Sequence, residues 1–119
     1  MRNFKELKIW QKGFQIAIKS YQVTASFPPN ERFGLTSQIN RASVSIPSNI
    51  AEGSSRNSGK EYHHYIQISL GSCFELETQL LIAKELNYSN PSFLEDVLQL
   101  LLEEEKMLTA FAKILKESN

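Results

Sequence analysis

Five basic side chains carry the clearest chemistry in this sequence: Lys8, Lys12, Arg41, Arg56 and Lys60. Lysine and arginine gathered on one surface neutralise phosphates, so the chemistry they suggest is binding of a polyanion such as RNA or DNA. Arg56 and Lys60 flank a Ser/Gly-rich turn, SSRNSG, whose backbone amides lead into a helix, and a helix N-terminus attracts phosphate. The competing reading pairs Arg41 with Glu52, Glu75 or Glu77, so that it holds a bundle or an assembly together. Arg41 and Glu52 lie on nearly the same helix side about three turns apart, so each is expected to find its partner elsewhere. Glu61 and His64 have the E-x-x-H spacing of di-iron bundles. Such a site needs two of these pairs and two further glutamates, and only one pair is present, so no metal is expected. His63 and His64, with Tyr62 and Tyr65, read as surface or interface aromatics. Cys73 falls on an apolar seam and reads as a small buried hydrophobe rather than a nucleophile. No triad, P-loop or paired-carboxylate pattern occurs, so neither an enzyme nor a cofactor is expected.

The elements that must position these groups are all helical. The first helix is expected over about residues 4–26, with Leu7, Trp10, Phe14, Ala17 and Tyr21 at steps of three and four and Asn3 with Glu6 as a cap pair. Phe27-Pro28-Pro29 ends it, since proline cannot continue the hydrogen-bond ladder. The second covers about 31–54. The third, about 58–86, opens on Ser58 and Glu61 as a capping box and holds a heptad seam of Tyr62, Ile66, Ser69, Cys73, Leu76, Leu80 and Ala83. Pro91 sits in a first-turn position of the fourth, about 92–117, which places Leu94, Leu98, Leu101, Leu108, Phe111 and Leu115 on one side. Short breaks force sequential helices antiparallel, giving an all-α, up-down-up-down four-helix bundle as one domain over residues 1–119. Second apolar lines, Leu70, Phe74 and Leu81 on helix three and Val97, Leu100, Met107 and Ile114 on helix four, exceed what one seam needs and point to self-association.

The second helix is the unusual one. Leu35, Ile39, Ala42, Ile46, Ile50 and Gly53 form its apolar face, but Ser37, Asn40, Ser43, Ser45, Ser48 and Asn49, mediocre helix formers, surround them. Pro47 lies inside it, removing a backbone bond to the Ser43 carbonyl and predicting a bend there, with nearby Ser hydroxyls as substitute donors. Ser43, Pro47, Asn49, Glu52 and Gly53 are therefore read as structural and assembly residues, permitting close helix approach or polar contacts at a subunit interface.

The totals bound the rest. A chain of 119 residues with 41% hydrophobic and 22% charged side chains can bury a core without disulfide staples. No apolar run is long enough for a membrane span, the first residues lack the apolar stretch of a signal peptide, and one cysteine excludes an internal disulfide. A cytoplasmic protein is expected. The net charge is zero but uneven: residues 1–60 carry nine basic and three acidic groups, and residues 61–119 carry four and ten. Such halves either attract each other, within or between chains, or offer a basic face to a polyanion.

The segment QINRASVSIPSNIAEGSSR, Gln38–Arg56, resembles the signature of the small four-helix bundle proteins encoded in intervening sequences of bacterial 23S rRNA genes. The resemblance extends to FKELKIWQKG at Phe4–Gly13, FPPNERFGLTSQ at Phe27–Gln38, and Gly71, Ser72, Glu75, Leu76 and Glu77. It implies a four-helix bundle that assembles as a homopentamer. The accessory variability protein of diversity-generating retroelements is similar; it is a basic pentamer that binds nucleic acid and partners a reverse transcriptase. By that likeness the expected partners are other copies of the chain, RNA or DNA, or a partner protein. This chain is neutral overall, so polyanion binding would require its basic half to be displayed on one face.

Overall fold

The structure, a computed structural model, describes residues 3–117. Helices α1 (Lys8–Thr24), α2 (Leu35–Ser54), α3 (Gly59–Glu85) and α4 (Pro91–Glu117) form an antiparallel four-helix bundle, and the described residues hold no strand. Each helix packs on its neighbours in the ring α1–α2–α3–α4–α1, and across the diagonals no Cα atoms come within 8 Å among the described residues, so only long side chains can bridge them. The bundle measures 46 × 22 × 20 Å, about the length of its two 27-residue helices at 1.5 Å per residue.

The two later helices begin and end where their sequence signals place them. Ser58 Oγ accepts from the Glu61 amide at 3.1 Å and caps α3. At its other end Asn87 takes a left-handed conformation, φ 57°, and the Tyr88 and Asn87 amides return to the Ala83 and Lys84 carbonyls, a Schellman closure. The first two helices start later than the sequence reading. Residues Phe4–Glu6 form a 3-10 turn capped by Asn3, and Leu7 is extended, so α1 begins at Lys8. Likewise Pro29–Glu31 is a 3-10 turn and α2 begins at Leu35. Its N-cap, Gly34, has no side chain, and Glu31 supplies the missing acceptor, taking the Leu35 amide at 2.9 Å. A Cβ on Gly34 would stand 2.6 Å from that carboxylate oxygen, so the glycine is what admits it. The other Glu31 oxygen accepts from Tyr88 Oη at 3.0 Å, tying the two loops at this end together.

The core is a column of aliphatic side chains led by Ile16, Ile39, Ile46, Ile50, Ile66, Leu76, Leu80, Leu94, Leu101 and Leu108. The expected faces of α2 and α3 are the buried ones, every seam residue of α3 included. On α4, Leu94, Leu101 and Leu108 are buried, with Leu98, Phe111 and Leu115 half-buried beside them. The α1 stripe requires correction. Its interior face is Ile9, Gly13, Ile16, Ala17, Ser20 and Val23, with Leu7 and Trp10 half-buried against the core, whereas Phe14 and Tyr21 of the expected stripe are 49% and 50% exposed. Both sets keep helical spacing; the smaller one faces inward because Gly13 lets α1 approach α2 and α4 closely. The second apolar lines divide. Val97 is buried, Leu70, Leu100 and Met107 are half-buried, and Phe74, Leu81 and Ile114 are exposed.

Candidate assembly groove and basic residues

The aromatic stripe that α1 turns away from the core forms one wall of a surface groove. Trp10, Phe14, Ile18 and Tyr21 stand on α1, facing Val44, Pro47, Ser48 and Ala51 of α2, around an open volume of about 500 Å³. Phe4, Trp10 and Phe14 stack in succession, with ring centroids 5.3 and 5.1 Å apart. The α2 wall is made of small side chains, Val44, Pro47, Ser48 and Ala51.

The Ser/Asn content of α2 has a second consequence. Its hydroxyls and amides satisfy carbonyls and lock α2 to α3. Ser69 Oγ of α3 donates to the Ile46 carbonyl at 2.9 Å in the buried interior, and Ser45 and Ser72 share a 2.8 Å hydrogen bond. Asn49 Nδ2 donates to both the carbonyl and the hydroxyl of Ser45, and Ser43 Oγ donates to the Asn40 carbonyl. The donors expected for the Ser43 carbonyl thus go to Asn40 and Ile46 instead. Helix α2 runs unbroken through Pro47, which is buried. Gly53 meets α3 directly: a Cβ there would lie 2.7 Å from Tyr65 Cβ and 3.0 Å from the Tyr62 ring.

Of the five basic candidates, three have acidic partners within the chain. Lys12 pairs with Glu103 of α4 and is mostly covered. Arg41 reaches Glu75 of α3 at 3.6 Å and bonds Gln38, a partner from another helix as the sequence suggested. Arg56 pairs with Glu52 at 2.9 Å, donates to Tyr65 Oη and stacks on the Tyr65 ring at 4.9 Å. Glu52 thus finds its partner one turn along its own chain rather than on another element. Lys8 and Lys60 are exposed and hold no ion pair among the described residues. The five do not converge on a single pocket. Phe4 and Ala51 with Asn3, Lys5, Ser55 and Arg56 line a separate, mixed cleft where the first turn meets the end of α2.

Two functional-looking groups escaped the sequence reading. Glu104 and Glu105 occupy the middle of α4 and are buried, Glu104 completely. Burial pushes the Glu104 carboxyl up to about 8, with Lys12 opposing the shift. Burial and the adjacent Glu77 push Glu105 up as well. The run Glu103-Glu104-Glu105 looks like a solvated face, but three successive residues span most of a helix turn and cannot all face water. Cys73 is buried as expected, and desolvation raises its thiol well above the ordinary range. Among the described residues no three His, Cys, Asp or Glu side chains are grouped to hold a metal ion. No helix there is long and apolar enough to cross a membrane.

A protein-family model described as 23S rRNA-intervening sequence protein matches residues 5–110. No curated protein matches the chain. Among solved structures, a protein of unknown function from the S23 ribosomal protein family of Bacteroides thetaiotaomicron is similar in fold. It is 22% identical, with a TM-score of 0.79, covering 88% of this chain and 98% of its own.

Proposed function

We propose that this chain, which belongs to the 23S rRNA-intervening sequence protein family, is a non-enzymatic, self-associating helical module whose α1–α2 groove is covered by a second copy. The observation that carries this reading is the groove itself. Phe14, Ile18 and Tyr21 are each about half exposed beside the small residues of α2. Fully burying one such side chain is worth about 1.5–3 kcal/mol, so an aromatic row left open is a cost that assembly removes.

Charge favours another copy as the occupant. The groove helices carry the basic half of the chain, and the exposed apolar residues Phe74 and Leu81 of α3 and Ile114 of α4 sit on the acidic half. A groove on the basic half and exposed apolar side chains on the acidic half fit a head-to-tail contact, the kind that closes into rings. The family resemblance supports a ring of five.

A second reading, binding of RNA or DNA, rests on exposed Lys8 and Lys60. The pairing of Lys12, Arg41 and Arg56 with acids favours the assembly reading over it. Electrophoretic mobility and sedimentation of the full chain with and without RNA separate the two. Assembly alone predicts one mass under both conditions. Polyanion binding predicts a complex at low salt that salt dissolves steeply and that Lys8→Glu with Lys60→Glu abolishes while leaving the mass of the protein unchanged.

A further inference from the structure

The buried acid of α4 and the internal proline of α2 meet across one glycine. Pro47 has no amide hydrogen, so the Ser43 carbonyl, four residues earlier, lacks its donor within α2. The neighbouring hydroxyls are committed elsewhere, Ser43 Oγ to Asn40 and Ser69 Oγ to Ile46, each at 2.9 Å. Glu104 is fully buried, and neither of its carboxyl oxygens has a hydrogen-bond partner among the described residues. A Cβ built on Gly13 would stand 3.0 Å from Glu104 Oε2, 3.1 Å from Ile46 Cγ2 and 3.4 Å from Pro47 N. The acid and the amide-less nitrogen of Pro47 therefore border the same narrow gap over Gly13, too tight to take a methyl group without a shift.

We propose that Glu104 is held as the neutral carboxylic acid and that its O–H is the donor Pro47 cannot supply, accepted by the Ser43 carbonyl over Gly13. The bond is a proton-dependent latch between α4 and α2. It lies behind the proline that walls the groove and stands independently of the assembly reading. The Glu104 carboxyl, without a partner of its own, and the Ser43 carbonyl, deprived of its i+4 amide by Pro47, can satisfy each other only when the acid keeps its proton.

The charged and titratable groups around Glu104 are few. From α1 comes Lys12, whose ammonium is taken by Glu103. From α3 comes Cys73, a neutral thiol. On α4 itself Glu103 and Glu105 flank it, and α2 presents Ile46 and Pro47. Burial holds the Glu104 proton to about 8, and an unfolded chain releases it near 4.5. Between those values the unfolded state binds fewer protons, so the folding constant falls by about tenfold per pH unit from this group, then levels.

Urea unfolding of the full chain across this pH range tests the latch. Glu104→Gln keeps a donor without a titratable proton, so its logarithmic stability should decline with pH by one unit per pH unit less than the parent. Glu104→Leu loses the donor and should be less stable than Glu104→Gln. Pro47→Ala restores the amide to Ser43, and in that background the Gln–Leu difference should collapse. An unchanged difference overturns the proposal. Carbon-13 NMR of the side-chain carboxyls reads the same bond without altering Glu104. The Glu104 resonance should titrate near 8 and shift to lower pH in Pro47→Ala. A midpoint in the ordinary carboxylate range, or one that Pro47→Ala leaves unmoved, overturns it.

Discussion

Gly53 and Tyr65 meet so closely that a side chain beginning at Gly53 would start 2.7 Å from the Tyr65 Cβ. This is where α2 and α3 cross just after their connecting turn, and the contact is available only to glycine. Gly53→Ala must push the helices apart and is expected to cost about 1–3 kcal/mol of unfolding free energy in urea titrations. Gly71, also helical, has nothing within 4 Å of its Cβ position. Gly71→Ala should instead raise stability by about 0.5–1 kcal/mol. Equal effects at the two positions would contradict the close-crossing account.

The Ser69 hydroxyl and the Thr78 hydroxyl lie on the same helix, but only the first is buried and crosses to another element. Ser69→Ala leaves the Ile46 carbonyl without that donor and is expected to cost about 1–3 kcal/mol. Thr78→Ala removes an exposed bond within α3 and should change stability by no more than about 0.5 kcal/mol. Chemical denaturation of both variants checks the contrast.

Cys73 is fully buried and its thiol is held protonated by desolvation and by the nearby acids. A thiol-specific reagent such as an aromatic disulfide should leave the native protein unmodified and label it fully in denaturant. Rapid native labelling at neutral pH would place Cys73 outside the core.

Glu77 raises the proton affinity of Glu105, after burial itself, through a shared hydrogen bond and its charge. A carboxyl raised in the native state contributes most at pH below its unfolded value and loses that contribution as pH climbs toward its native one. Glu77→Gln removes the neighbouring charge and brings the Glu105 native value down. The variant should therefore lose less stability than the parent between mildly acidic and alkaline buffer. Parallel pH–stability curves for the two proteins would count against the pair.

The antiparallel bundle was legible because its signals are local: the Ser58 cap, the α3 seam and the proline breaks all act over a few residues. The interior face of α1 was not, because two helical stripes compete there. The aromatic one is more hydrophobic, but Gly13 and Ser20 on the other allow the close packing that decides the matter. Glu104 was missed for a related reason. Its burial depends on Gly13 and Pro47 of two other helices, which no reading of α4 alone contains. For the basic candidates, charge and spacing located the residues, but their partners, Glu103 for Lys12 and Glu75 for Arg41, are set by tertiary packing.

The most direct test of the assembly account is the mass of the full chain in solution, by light scattering or sedimentation equilibrium, beside that of Phe14→Asp. Phe14 is half exposed on α1, so the substitution should keep each chain helical and folded while charging the groove, its unfolding midpoint falling only by what assembly contributes. The account predicts a closed multi-copy assembly, a pentamer, for the parent and a folded monomer for Phe14→Asp. A monomeric parent, or an assembly that Phe14→Asp leaves intact, would contradict it.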